Sequence, residues 1–313
     1  MTQLVSPDNF ARAESDLYFG NIVKGGGFGA LHHTRELSPI DNQLVIRQNR
    51  DTLYSSGVFD LDAGPVTVTL PDSGGRFMAL QVISEDHYTT QVVYAPASVT
   101  LTRDEVGTRY VAVAVRTLVA PTDPADLAAV HALQDAVTVA QDAVGSFETP
   151  QWDPVSQKTV RDALITLATT LPDTKGMFGT AADTEPVRHL IGSANAWGGN
   201  PERDALYLTV VPPQNDGAAV YRLTVKDVPV DGFWSVTVYN KDGYFTANDQ
   251  NAYSLNNITA VTDADGSTTI QFGGTGAANL LPITPGWNYV VRLYRPRPEI
   301  LDGAWTFPAA VPV

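Results

Sequence analysis

Apolar and polar side chains alternate at every second position through most of this chain, and the pattern is clearest between Asp231 and Gly243. Trp234, Val236 and Val238 fall on one face of an extended strand, with Phe233, Ser235, Thr237 and Tyr239 on the other. Asp242-Gly243 closes that strand with a turn pair that tolerates positive φ, and Tyr244-Phe245 reads as the return arm of a hairpin. From residue 44 the same cadence predicts strands at 44–47, 58–61, 66–70, 77–84, 89–94, 99–102 and 110–115. It resumes at 207–211, 220–225, 233–239, 268–272 and 287–294. Short strands separated by Gly, Pro and Asp turns indicate a mainly β (α+β) protein built of sandwiches or barrels.

The period changes to three and four in a few places. Ser6-Pro7-Asp8 starts a helix whose face is Phe10, Ala13, Leu17 and Tyr18, ending at Gly20 and the cluster Gly25 to Gly29. That cluster fits G-x-G-x-x-A, but a phosphate site on this pattern needs a strand before it and a helix after it; here a helix precedes, so it reads as a connection. Asp123-Pro124 and Asp153-Pro154 each place proline behind an N-cap. The stripe Val130, Leu133, Val137, Ala140, Val144 and the stripe Val160, Leu164, Leu167, Leu171 then predict a helical hairpin. The segment with Pro186 to Leu190 and Trp197 to Pro201 reads as loop.

One stretch is echoed. Phe77 to Val82 resembles Phe233 to Val238 at an offset of 156 residues, each behind a turn rich in Pro, Asp and Gly. The strands before the two turns alternate out of phase, so either two similar β-domains or two merely similar hairpins fit. A length of 313 residues suits about two domains, and the expected division is 1–120, a helical block 121–190, and 191–313.

Composition narrows the function. A net charge of −14, from 20 Lys+Arg against 34 Asp+Glu, argues against a nucleic-acid partner. With no cysteine there are no disulfides, thiolate metal sites or cysteine nucleophiles. No signal peptide or membrane span is visible, so the chain reads as cytoplasmic with no membrane partner.

Asn49-Arg50-Asp51-Thr52-Leu53-Tyr54-Ser55, Phe59-Asp60-Leu61, Gly64-Pro65 and Arg76-Phe77 resemble the domain of unknown function numbered 1254. Phe233 to Tyr239, Asp265-Gly266-Ser267, Pro282 with Gly286-Trp287, Arg292 to Pro296 and Asp302 to Trp305 resemble its usual companion, number 1214. The resemblance implies two jelly-roll-like antiparallel β-sandwich domains with helices between them, and a homo-oligomer. Carboxyl-ester hydrolysis is ascribed to some members, and no mechanism comes with it.

No G-x-S-x-G or S-x-x-K occurs, and the histidines His32, His33, His87, His131 and His189 form no metal motif, so no metal or cofactor is expected. The densest polar cluster is Glu85-Asp86-His87-Tyr88 at a strand end. It reads either as a solvated turn or as a site in which Asp86 orients His87 as a base. Arg50 either clasps Asp51 or, with Tyr54, grips a carboxylate or carbonyl. Tyr88, Trp197, Phe233 and Tyr239 are core residues or the walls of a ligand pocket between the domains. Two functions compete: an enzyme or small-molecule binder acting on a small ester, lactone or carboxylic acid, and a non-catalytic oligomeric structural or glycan-binding module.

Overall fold

The computed structural model describes residues 2–43 and 46–313. The chain divides into two compact units: unit 1 comprises 1–35, 53–118 and 128–201, and unit 2 comprises 36–52, 119–127 and 202–313. Among the described residues no helix is long and apolar enough to cross a membrane.

Unit 1 opens with helix α1 (Phe10–Lys24) and continues through strands β1 (His32–His33), β2 (Thr52–Asp60), β3 (Val66–Leu70), β4 (Met78–Ser84), β5 (Thr89–Tyr94) and β6 (Ala97–Leu101). A short helix α2 (Arg103–Val106), strand β7 (Tyr110–Leu118), helix α3 (Pro124–Asp135), strand β8 (Thr138–Ala140) and helices α4 (Pro154–Ala168) and α5 (Pro186–Asn195) follow. One sheet has the order β1-β2-β7-β4-β5 and the other β6-β3-β8. The pleat explains the layering. Val66, Val68 and Leu70 of one sheet meet Leu80, Val82, Val113 and Val115 of the other in a single core. The outer face of the larger sheet is covered by helix: Phe19 of α1 packs with Ile83, Tyr110 and Ala112. Phe10, Ala13, Leu164 and Ile191 join α1, α4 and α5. This double coverage is why every residue of β4 is buried.

Unit 2 contains β9 (Ala205–Val210), β10 (Tyr221–Val225), β11 (Trp234–Tyr239), β12 (Ser254–Asn256), β13 (Thr268–Phe272), β14 (Leu280–Leu281), β15 (Asn288–Tyr294), α6 (Pro298–Leu301) and β16 (Val311–Pro312). Its sheets run β12-β11-β15-β9 and β14-β13-β10-β16. Tyr221, Leu223, Ile270 and Phe272 face Val236, Val238, Tyr289 and Val291 across the core.

The strand orders of the two units correspond. β5-β4-β7-β2 matches β12-β11-β15-β9, and β6-β3-β8 matches β13-β10-β16, with β1 and β14 as additions. The correspondence extends to register: Ala79 faces Arg116 as Ser235 faces Arg292. The phase mismatch in the sequence has a simple origin. Buried Val66, Val68 and Leu70 match buried Tyr221, Leu223 and Val225, and the loop from Val225 to Trp234 is one residue longer than that from Leu70 to Met78.

Several expectations are revised. The stripe from Val130 to Val144 is not one helix: α3 stops at Asp135, and the β-branched run Val137-Thr138-Val139 pairs with β3 instead, so no helical hairpin joins α3 to α4. The loop-like segment at 186 forms α5, with Pro186 in its first turn. In α1 the inward face carries Glu14, Ser15 and Asp16 beside Phe10, Ala13 and Phe19, while Leu17 is exposed. The strand expected at 44–47 falls partly on Leu44 and Val45, which lie outside the described residues, and Ile46 and Arg47 form a turn. After β11 the Asp242-Gly243 turn forms, with Gly243 at φ 85° and Asn240 N–H donating to Tyr244 O at 2.8 Å, but Tyr244-Phe245 is not a strand: the chain continues as a loop, and β12 is the strand that returns antiparallel to β11.

Candidate functional site

In unit 1 the turn after β4 carries Glu85, Asp86, His87 and Tyr88. His87 adopts φ 65°, which turns its ring inward to 2% exposure. Its Nε2 accepts the backbone N–H of Gly198 at 2.9 Å, so the ring proton sits on Nδ1 and is donated to Ser193 Oγ at 3.0 Å. Ser193 in turn donates to the carbonyl of His189 at 3.0 Å. Burial, followed by the neighbouring His189, pushes the His87 pKa down to about 3. Ser193 and His87 are therefore in contact in the wrong sense for nucleophile activation: the imidazole lone pair is already used.

His87 belongs to a column of rings. Tyr18 stacks on Trp197 with centroids 4.4 Å apart, Trp197 lies 5.6 Å from His87, His87 lies 5.5 Å from His189, and His189 stacks on Tyr88 at 4.3 Å. The loop at 197–199 is fixed from the sheet as well. Arg116 donates to Gly198 O at 3.1 Å and to Gln81 Oε1 at 2.6 Å, and Gln81 donates to Gly199 O at 2.9 Å. The Arg116 guanidinium lies over the Tyr54 ring, 5.5 Å from its centre.

Asp86 does not orient His87. Its carboxylate is held by Arg12, which donates from Nε at 2.9 Å and Nη2 at 2.6 Å, because α1 brings that guanidinium to the turn. Beside it, Glu85 accepts the N–H of Tyr110 at 2.9 Å while burial raises its pKa. Asp16 is 4% exposed and accepts from Trp152 Nε1 at 2.7 Å, and its Oδ1 has no partner among the described residues. Burial chiefly, with Glu85 and Asp86 nearby, lifts its pKa to about 6 against the pull of Trp152 and Arg12. Amphipathic spacing hid these groups, since a helix stripe is read from apolar residues and α1 turns carboxylates inward.

In unit 2 the outer face of β11 and β15 is polar and covered by residues 47–52. Arg292, 3% exposed, donates to Thr237 Oγ1 at 2.9 Å, Arg47 O at 2.9 Å and Tyr239 Oη at 2.7 Å. Tyr239 passes its own proton to Gln48 O at 2.7 Å. Asp51 accepts from Ser254 at 2.8 Å and Asn256 at 3.2 Å, so the expected Arg50 clasp is replaced by hydroxyl and amide donors from β12. Asp51 Oδ2, Gln48 Oε1 and Ser235 Oγ are buried without a partner among the described residues. Phe233 stacks on Tyr294 at 4.3 Å as a wall of this face.

Arg50 stands apart from that network. Its Nη1 donates to the Ser38 carbonyl, and its guanidinium lies 5.6 Å from the Phe245 ring centre and 5.2 Å from that of Tyr253. Among the described residues no carboxylate pairs with it. Burial lowers its pKa from the ordinary value.

Of the residues singled out from the sequence, unit 1 holds Asp86, His87, Tyr88, Trp197 and Tyr54, with His87, Tyr88 and Trp197 in one ring column; unit 2 holds Arg50, Phe233 and Tyr239. Among the described residues no three His, Asp or Glu side chains gather as a metal-binding group.

These features define a two-unit, mainly antiparallel β protein in which each unit buries an arginine on the outer face of one sheet, Arg116 on β7 and Arg292 on β15. More narrowly, the chain belongs to the family that pairs two domains of unknown function. Residues 28–141 match the DUF1254 family and residues 212–298 match the DUF1214 family, each described only as a protein of unknown function. No match is found among curated proteins. Among solved structures, the VPA0106 protein of Vibrio parahaemolyticus is similar over 97% of this chain and 96% of its own, with TM-score 0.70 and 18% identity. A putative uncharacterized protein from Burkholderia cenocepacia is similar over 97% and 86% of the two chains, with TM-score 0.52 and 13% identity. At these identities the likeness concerns the fold.

Proposed function

We propose that this protein is a small-molecule binder that takes a small carboxylic acid on Arg50 of unit 2. The observation that carries this reading is the state of the Arg50 guanidinium: half-buried, lying over two aromatic faces, and given one carbonyl but, among the described residues, no carboxylate. A guanidinium has five N–H donors in a planar fork, and a carboxylate takes two of them in parallel. Phe245 and Tyr253 hold the fork in place and add cation–π attraction of about 0.5–2 kcal/mol.

The unit 1 cluster supports a positioning role and not a catalytic one, because both ring nitrogens of His87 are engaged inside the protein. We also read each unit as jelly-roll-like, a reading supported by successive strands that change sheet at most steps along the chain.

Calorimetric titration with acetate, butyrate and benzoate tests the function. Binding should weaken at least tenfold in Arg50→Gln and should not be restored by Arg50→Lys, which lacks the fork. Equal affinity of wild type and Arg50→Gln would remove the reading.

A further inference from the structure

Unit 2 contains a cleft of about 230 Å³ at one end of its strands, formed by the end of β11, the loop 246–253 and the segment 282–284. We propose that this cleft is a binding site for one neutral, polyhydroxylated ring of monosaccharide size. Arg50 is not among its lining residues, although Tyr253, one of its walls, also carries the Arg50 guanidinium on its ring.

Three observations lead there. The first is charge: none of the residues lining the cleft is charged at neutral pH, so a charged ligand would be desolvated with no counter-charge. The second is the hydrogen-bonding inventory. Asn240 uses its side-chain oxygen for the N–H groups of Asp242 and Tyr244, both at 3.0 Å, and its amide nitrogen makes no hydrogen bond among the described residues. The hydroxyls of Thr246 and Thr284, which also line the cleft, make none either. An apolar ligand would leave these groups unpaired on burial, whereas ligand hydroxyls both donate and accept. The third is the remaining wall. Tyr253, Ile283 and Pro282 offer apolar surface to the C–H faces of a sugar ring.

The loop that forms one wall is held by its own hydrogen bonds. Asn248 accepts the N–H of Ala252 at 3.0 Å and donates to Ala252 O at 3.0 Å, which pins the loop closed upon itself. Loop ordering therefore does not oppose binding. Volume sets the ligand's size: the cleft is smaller than the roughly 300–1,000 Å³ of drug-sized sites, which suits a single ring.

The test is an NMR titration of the full chain with glucose, galactose, mannose and myo-inositol, with cyclohexanol as the ring lacking most hydroxyls. At least one polyol should shift the amide signals of Thr246, Ala247 and Tyr253 saturably, and cyclohexanol should bind at least tenfold more weakly. The double variant Thr246→Val with Thr284→Val should lose tenfold or more, and Ala247→Trp, which fills the space without removing a hydrogen bond, should abolish the shifts. Absence of saturable shifts with all four polyols, or cyclohexanol binding as well as they do, would overturn the proposal. So would full affinity in both the valine and the tryptophan variants.

Discussion

The backbone N–H of Gly198 points at Nε2 of His87 from 2.9 Å, and that one bond decides which tautomer the imidazole adopts. His87→Ala leaves the half-buried Gly198 N–H without its acceptor and takes one of the two hydrogen bonds from the buried Ser193 hydroxyl, each at a cost of about 1–3 kcal/mol, and opens a cavity besides. We expect chemical denaturation to show a loss of about 3 kcal/mol or more.

Acidification acts on the same ring. The His87 pKa falls from 6.5 to about 3 on folding, so its contribution is complete above pH 6.5 and is lost as pH drops toward 3. Asp16 works oppositely: its pKa rises from 3.8 to about 6, so its contribution is greatest below pH 3.8 and is lost as pH climbs through 6. At about 1.4 kcal/mol per pH unit the two slopes nearly cancel between pH 6 and 4, and His87 acts alone below that. Asp16→Asn should therefore be more stable than wild type at pH 7, by up to about 3 kcal/mol, and should lose about 3 kcal/mol between pH 6.5 and 4 where wild type stays nearly level. Urea midpoints at pH 4, 5, 6 and 7 in both proteins measure this. Glu85, also raised by burial, adds to the Asp16 trend, and Arg12 and Asp86 face both groups.

Arg292→Met should destabilise by about 3 kcal/mol, since Arg47 O, Thr237 and Tyr239 all lose one donor. Arg292→Lys should recover less than half of that, because one ammonium cannot occupy both ends of the fork. Thermal unfolding of the two variants against wild type gives the comparison.

Gly199→Ala places a new Cβ 2.5 Å from the Phe178 ring, in a loop held by Gln81 and Arg116. Overpacking of this kind typically costs about 1–3 kcal/mol. Deuterium exchange at 196–200 should rise in this variant more than exchange in β13, if the damage is local.

The sheet architecture was readable because period-2 alternation reports burial directly: the strands at 66–70, 89–94 and 268–272 were anticipated to the residue. What alternation cannot report is partner choice. Val137 to Ala140 fits a helical stripe as well as a strand, and the open edge of β3 decides in favour of the strand. The candidate cluster at 85–88 was visible as composition, but its chemistry was not. Whether Asp86 faces His87 or Arg12 depends on a helix 74 residues earlier in the chain, and no local spacing encodes that contact. Arg50 and Asp51 are adjacent in sequence, yet the carboxylate takes its donors from β12 some 200 residues later.

The one-residue difference between the loops ahead of β4 and β11 bears on any attempt to recombine the two halves. A chimaera that exchanges β4 for β11 position for position keeps its phase, because Met78, Leu80 and Val82 face one core as Trp234, Val236 and Val238 face the other. The extra residue lies wholly in the connection that carries the chain from one sheet to the other, so the strands are interchangeable in phase and only their linkers are not.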